Sequence, residues 1–234
     1  MHRHDLVYLQ PTDAFTLLNA SVPLSVIQAI DHMIEAKHPF TVCRQSTPQL
    51  SKVATSYVED HCKYRLALDL SAPPQVITSP LALENLISSL PSVIQKKTQA
   101  FINQCHDLQA NVYAYGSFAN QYFTHLPFVT PTSDLDILVV IHDMDRLTEI
   151  LVAINAFKQL AVSEVNLRVD GEVRLNGHED VSFNELIHAL LSGIPTVVVK
   201  TLYTAELQSI DVLLGWNTYE CERFINACKR SLIL

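Results

Sequence analysis

The chain has 234 residues, of which 48% are hydrophobic, and it contains only 5 glycines. This length and apolar content allow one large domain or two small ones, and so little glycine excludes fibrous and low-complexity classes. The formal net charge of −8 argues against a general nucleic-acid binder, because neutralising the phosphate backbone requires many Lys and Arg residues.

The cysteines and the N-terminal segment limit the cellular setting. None of the 5 cysteines forms a C-x-x-C pair, and no cysteine–histidine group has zinc-finger spacing. Cys221 and Cys228 are spaced to share a helical face, where small buried thiols are the ordinary outcome. The N-terminus lacks a signal-peptide core, and no apolar run approaches the ~20 residues that span a bilayer. We therefore expect a cytoplasmic protein with reduced thiols and no membrane contact.

The first part of the chain combines short strands with one helix. Ser21 is a candidate N-cap for a helix over 23–37, which has proline in its first turn and a single apolar face. Apolar runs, one of them with clean alternation, predict strands at 6–9, 40–44, 53–58 and 64–70. The Ala72-Pro73-Pro74 segment is typical of a linker, so we place one domain over 1–74 and another over 75–234.

The second part alternates helices and strands without a repeat, which predicts an α/β or α+β fold. Ser182 and Glu185 have the spacing of a capping box at the start of a helix. The other predicted helices lie at 81–90, 91–108, 117–125, 145–160 and 221–232. The predicted strands lie at 112–115, 134–141 and 197–202, with an extended segment at 166–175.

Asp134 and Asp136 flank Leu135 at the start of an apolar run. Alternation along a strand places the two carboxylates on one side, roughly 6–7 Å apart along the chain, and Leu135 in the core. Unpaired, the two acids would repel and raise each other's pKa. A divalent cation removes that repulsion, and Mg²⁺ prefers one or two carboxylates together with phosphate oxygens. The pair therefore predicts a magnesium site.

Gly116-Ser117 stands where the apolar run 112–115 ends and a helix is predicted to begin. Glycine lets the backbone approach a phosphate, and the N–H groups of the first helical turn bind anions. Ser117 is equally a good helix N-cap, which is compatible with phosphate binding. We do not expect Ser117 to be a nucleophile, because the flanking glycines of a G-x-S-x-G elbow are absent.

Gly-Ser followed by Asp-x-Asp resembles the nucleotidyltransferase superfamily. Longer strings resemble the phosphoribosyl-dephospho-CoA transferases of malonate decarboxylase systems. These strings are Arg3–Leu9, Gly116–Ala119 with Gln121-Tyr122, Leu126–Val129, Ser133–Asp136 and Val169–Val173. The resemblance implies an α+β fold with a nucleotidyltransferase-like mixed sheet and a small N-terminal α/β domain. His4 and Asp5 belong to these strings, but their spacing indicates no role.

The resemblance also implies a reaction. Enzymes of this family transfer triphosphoribosyl-dephospho-CoA, with release of pyrophosphate, to a serine of the apo acyl carrier subunit of malonate decarboxylase. Asp134 and Asp136 would hold Mg²⁺, and Asp170 would be a third, metal-binding carboxylate. Gly116 and Ser117 would bind the β- and γ-phosphates. The resemblance leaves the oligomeric state open.

Several of these roles have alternatives. Asp170-Gly171 is equally a strong two-residue hairpin turn, and Glu172 is then the fallback acid. Arg168 could contact phosphates or be a solvated strand residue. Lys200 interrupts a β-branched run, so it either extends to solvent or meets an anion such as a phosphate. Arg44 follows an extended segment similar to the family's and is a candidate for substrate binding.

Two other functions compete with the family assignment. One is a nucleotidyltransferase that acts on RNA or on a protein side chain, against which the acidity and the string Arg3–Leu9 both argue. The other is a non-catalytic binding module with the same fold. Intact Asp134 and Asp136 argue against that module, because adjacent acids without a cation carry an electrostatic penalty.

Overall fold

The computed structural model describes residues 1–19, 21–49, 51–60, 62–216 and 218–231. Within them the chain forms two compact units. The first unit comprises Met1–Pro80, Ser117–Thr130 and Thr201–Thr204. The second comprises Leu81–Gly116, Pro131–Lys200 and the described residues from Ala205 onward.

The strands and helices alternate along the chain. The strands are β1 (Leu6–Tyr8), β2 (Phe15–Leu17), β3 (Phe40–Val42), β4 (Lys52–Glu59), β5 (Cys62–Leu70), β6 (Val76–Thr78), β7 (Leu81–Ala82), β8 (Ala110–Tyr115), β9 (Leu135–Ile141), β10 (Val169–Leu175), β11 (Glu179–Ser182), β12 (Thr196–Lys200) and β13 (Ala205–Ser209). The helices are α1 (Leu24–Glu35), α2 (Ser92–Asp107), α3 (Gly116–Thr124), α4 (Leu147–Val165), α5 (Phe183–Ser192), α6 (Ile210–Leu214) and α7 (Thr218–Ser231).

The first unit is built on a sheet in the order β2-β5-β4-β3-β1-β6, in which every neighbouring pair is antiparallel. The four strands and the helix predicted for this region are confirmed. Helix α1 buries Val26, Ile30, Met33 and Ile34 as its periodicity requires. The predicted cap at Ser21 is wrong: the helix begins after Pro23, whose fixed φ suits a helix start, and has no side-chain cap.

The second unit is built on a mixed sheet in the order β13-β12-β11-β10-β9-β8-β7. Strands β9 and β10 run parallel, and the other neighbours are antiparallel. Helices α2 and α4 pack together through the stacked rings of Phe101 and Phe157, whose centroids are 4.4 Å apart. Helix α4 ends at Asn166, whose left-handed backbone (φ 53°) turns the chain into β10.

The expected α+β class with a mixed sheet is confirmed, whereas the closer likeness to nucleotidyltransferases stays a prediction. The helix expected at 81–90 is wrong, because this segment forms β7 and a 3₁₀ helix over Leu83–Ser89. Leu81 is buried by pairing with Ala114, an interaction that local periodicity does not reveal. Strand β13 was not predicted, and the expected end of the last helix at Leu232 lies outside the described residues.

In the described ranges, no helix combines the length and the apolar character that crossing a bilayer requires.

Candidate active site

Asp134 and Asp136 lie at the start of β9 in the second unit. Leu135 between them is fully buried, and both acids are half-buried, as alternation predicts. The Leu135 N–H donates to the Arg168 carbonyl at 2.8 Å, which continues the β9–β10 pairing to the first acid. The apolar remainder of β9 anchors this end of the sheet, so the two carboxylates stand on a rigid element.

Gly116 is in direct contact with Asp136. Tyr115, the last residue of β8, pairs with Asp136, and Gly116 follows with a φ of 68°. A Cβ atom at residue 116 would lie 2.0 Å from Asp136 Oδ2. Only glycine therefore leaves room for this carboxylate, and it also tolerates the left-handed backbone. The two sequence motifs thus meet at one point in the second unit.

Asp170 lies inside β10 and pairs directly with Asp136 on the parallel strand β9. The alternative hairpin turn at Asp170-Gly171 is therefore wrong. Gly171 has a different purpose: at φ 144°, a Cβ atom there would lie 1.8 Å from the Ile137 carbonyl oxygen. The glycine allows β10 to approach β9. Adjacent strands are about 4.8 Å apart, so the backbones of Asp136 and Asp170 are close neighbours.

A cavity of about 290 Å³ opens beside these acids. Its polar lining consists of Asp134, Asp170, Arg168, Lys158 and Asn184, and its apolar lining of Val162 and Val169. The cavity thus gathers three of the residues predicted from sequence. It adds Lys158, which sequence reasoning missed, and Asn184, to which the sequence alone assigns no role. Burial lowers the pKa of Lys158, and the negative charge of Asp170 opposes that shift.

Arg168 forms an ion pair with Asp134, with 2.7 Å between Nε and Oδ1. The arginine side chain is 69% exposed, so its head group can exchange this partner for another anion at little cost. Its predicted contact with phosphates stays a prediction.

Lys200 and Glu172 form a second ion pair, with 2.8 Å between Nζ and Oε1. Glu172 is buried, so it requires a cationic partner, and the lysine within the apolar run of β12 supplies it. The sequence led us to expect either solvent or an anion near Lys200, and the structure places the Glu172 carboxylate there. Phosphate binding by Lys200 stays a prediction, and so does the role of Glu172 as the alternative third acid.

Ser117 and Arg44 belong to the first unit. Lys63 of β5 donates a hydrogen bond of 2.9 Å to the Ser117 hydroxyl and lies 5.7 Å from the centroid of the Phe128 ring. Sequence reasoning missed Lys63, because it is an ordinary exposed position of an alternating strand. Arg44 is exposed just after β3. Phosphate binding by Ser117 and substrate binding by Arg44 stay predictions.

The acids of the second unit fit a magnesium ion in part. In the described part of the chain, the carboxylate oxygens of Asp134, Asp136 and Asp170 do not all lie within 4.8 Å of one another. They therefore do not form a closed, all-protein cage. Mg²⁺ seldom uses one and takes one or two carboxylates together with substrate phosphates. Acids that stand on two adjacent strands without enclosing an ion are compatible with that preference.

Comparison with known proteins gives two kinds of match. Residues 82–210 match the family model described as phosphoribosyl-dephospho-CoA transferase MdcG, C-terminal domain. A protein named phosphoribosyl-dephospho-CoA transferase from Xanthomonas axonopodis pv. citri (strain 306) is 33% identical over 124 residues, which is 53% of this chain and 56% of that protein. One of the same name from Xanthomonas euvesicatoria pv. vesicatoria (strain 85-10) is 31% identical over equal shares.

The match thus covers only a little over half the length of each of these relatives. No solved structure matches the chain significantly.

Proposed function

The chain belongs to the family of the phosphoribosyl-dephospho-CoA transferase MdcG C-terminal domain, and on that premise we propose that it is a metal-dependent transferase. The donor in this proposal is triphosphoribosyl-dephospho-CoA, and the acceptor is a serine of the apo acyl carrier subunit of malonate decarboxylase. The names of the two relatives support phosphoribosyl-dephospho-CoA as the group that is transferred. The acceptor rests on the sequence strings that resemble the malonate decarboxylase systems.

The proposed reaction is one in-line displacement. The serine oxygen of the acceptor bonds to the α-phosphorus of the donor and loses its proton to solvent. The bond from that phosphorus to the bridging oxygen breaks, and pyrophosphate leaves with the electron pair. The product is a phosphodiester. Catalysis of this kind consists mainly of positioning and electrostatic stabilisation, so no covalent enzyme intermediate is required.

Asp134 and Asp136 would hold Mg²⁺, and Asp170 would complete the set. When bound, the ion supplies acidity to the attacking hydroxyl and neutralises charge on the leaving oxygens. The chain's own contribution is to fix the acids on adjacent strands. The glycine at 116 lets the Asp136 carboxylate lie directly beside the predicted phosphate-binding turn. The contact of Gly116 with Asp136 is the observation that carries the proposal, because it links the predicted phosphate-binding turn to a predicted metal ligand.

Arg168 and Lys158 would balance the charge of the incoming substrate. The cavity carries two acids and two cations, so its side chains are close to neutral without a ligand. A divalent cation on the acids would leave an excess of positive charge there. A polyphosphate then becomes a favoured ligand, because opposite charges attract more strongly in a partly desolvated site than in water.

The test measures pyrophosphate release from triphosphoribosyl-dephospho-CoA with Mg²⁺ and the apo acyl carrier subunit. Parallel reactions contain RNA instead of the carrier, or no acceptor. We expect release only with the carrier, and we expect Asp136→Asn to lower turnover roughly a hundredfold or more, the scale on which one charge-stabilising group acts.

The matched control is Asp107→Asn, at an exposed position at the end of α2. It should retain wild-type turnover. Turnover by Asp136→Asn within twofold of wild type would contradict the role of this acid. Pyrophosphate release with RNA would show that RNA, and not the carrier subunit, is the acceptor.

A further inference from the structure

Asn184 connects two charged residues of the second unit. It is the second residue of α5, whose start is fixed by the Ser182 side chain, which accepts from the Glu185 N–H. Its Nδ2 donates to Asp170 Oδ1 at 2.7 Å, and its Oδ1 accepts from Lys158 Nζ. These contacts tie α4 and α5 to the acid on β10.

Lys158 determines which way the amide of Asn184 faces. A lysine ammonium can only donate hydrogen bonds, so the amide oxygen must face it and the amino group must face away. The amino group then points at Asp170. The ammonium is itself held in place, since it lies 5.6 Å from the centroid of the Phe183 ring. Lys158 and Asp170 together therefore determine the orientation of the Asn184 amide.

One oxygen of Asp170 is fully engaged by these contacts. Oδ1 accepts from Asn184 Nδ2 and from the Gly171 N–H, both at 2.7 Å. Two donors on one oxygen fix the plane of the carboxylate. Within the described ranges no hydrogen bond reaches Oδ2, and no direct ion pair joins Lys158 to Asp170. The neutral amide thus separates the lysine from the acid and leaves one oxygen for another partner.

We propose that Asn184, oriented by Lys158, is a positioning residue that presents the Oδ2 atom of Asp170 to a divalent cation. The inference rests on the proposed function, which makes Asp170 a metal ligand. Ligating carboxylates are themselves held by hydrogen bonds, and removal of such an outer partner weakens metal binding about 10- to 100-fold. Asn184 has the geometry of such a partner, and Lys158 acts through it.

The experiment measures Mn²⁺ binding to the full chain by electron paramagnetic resonance, with Mn²⁺ as a probe of the magnesium site. We expect Asn184→Ala to weaken binding about 10- to 100-fold. Lys158→Met keeps the length of the side chain but not its charge, so it should weaken binding less. Asp170→Asn is the reference for loss of the ligand itself. Thermal unfolding of each variant shows whether it is folded. If Asn184→Ala does not fold, Lys158→Met tests the inference in its place.

Two matched controls lie on α2 of the same unit. Asn103→Ala removes an exposed partner of Gln99, and Lys97→Met removes an exposed partner of Glu164. Both should bind Mn²⁺ as the wild type does. Binding by Asn184→Ala and Lys158→Met within twofold of wild type would overturn the inference, and so would unchanged binding by Asp170→Asn.

Pyrophosphate release is measured separately on the same proteins. A wild-type chain that binds Mn²⁺ through Asp170 and Asn184 but never releases pyrophosphate supports the inference and contradicts the proposed function. Release that persists while Asn184→Ala binds Mn²⁺ normally contradicts the inference alone.

Discussion

Strand β10 carries two groups of charged residues in very different surroundings. Near its start, Asp170 is half-buried beside a cavity, and neutral N–H donors hold one of its oxygens. Further along, Glu172 and Arg174 are buried and form ion pairs with Lys200 and Asp180. Within the sheet, the charges are thus neutralised by the protein itself, whereas near the start of β10 the Oδ2 atom of Asp170 accepts no hydrogen bond from the described residues.

The inner pairs also indicate what such charges do for the fold. Arg174 on β10 stands directly opposite Asp180 on β11, and Asp180 in turn stands opposite Lys200 on β12. A one-residue slip would separate these partners and leave charges buried without compensation. We infer that the inner group, which consists of Glu172, Arg174, Asp180 and Lys200, sets the register of β10, β11 and β12. We propose that the outer group, Asp170 and the neighbouring Arg168, serves the ligand. Each prediction below tests one side of this division.

The largest effect is expected on stability from Asp180→Asn. The side chains of Arg174 and Asp180 are 4% and 2% exposed, and two hydrogen bonds of 2.7 and 3.0 Å join them. Removing one partner of a buried pair leaves an uncompensated charge and costs about 3–5 kcal/mol. Urea denaturation should show this loss in the free energy of unfolding. A loss below about 1 kcal/mol, the size typical of a surface pair, would mean that the inner pair does not hold the strands.

An intermediate effect distinguishes Asp170 from Glu172. Asp170→Asn should lower Mg²⁺-dependent turnover by more than the roughly 10- to 100-fold that loss of an outer hydrogen-bond partner costs. It should change the free energy of unfolding little, because the proposed ligand that it removes is not ion-paired. Glu172→Gln should do the reverse. It leaves Lys200 without its ion-pair partner, so the free energy of unfolding should fall by about 1–3 kcal/mol, and the dependence of turnover on Mg²⁺ should not change. The measurements are turnover against Mg²⁺ concentration and urea denaturation. The opposite pattern would make Glu172 the third acid.

The sequence predicted the parts of the site that depend on neighbours along the chain. The apolar runs before Gly116 and after Asp136 identified β8 and β9, because strand burial follows a period of two. The Gly116-Ser117 pair marked the start of α3. Glycine at 116 was expected to allow close approach to a phosphate. The structure adds that the same glycine makes room for the Asp136 carboxylate.

What the sequence could not give depends on contacts between distant residues. Asp170-Gly171 has the local chemistry of a turn, but pairing with β9 keeps it extended, and tertiary pairing outweighs a local preference. Lys158 lies in an amphipathic helix pattern and looks like a solvated position. Its link to Asp170 requires knowing that α4 and α5 both reach β10, which no local pattern encodes.

The smallest effect on stability is expected from Arg168→Met. This variant tests the cation of the outer group, whereas Asp170→Asn tests its acid. Arg168 and Asp134 are 69% and 29% exposed, so their ion pair is screened by solvent and is worth at most about 1 kcal/mol. Urea denaturation should therefore barely distinguish this variant from the wild type, or from the surface control Lys97→Met. If Arg168 contributes charge to the substrate, its loss raises the KM for the triphosphate donor while kcat changes less, because binding is lost in ground state and transition state alike. A loss of stability as large as that of Asp180→Asn would mean that Arg168, like Arg174, holds the fold together, and it would contradict the division between the two groups.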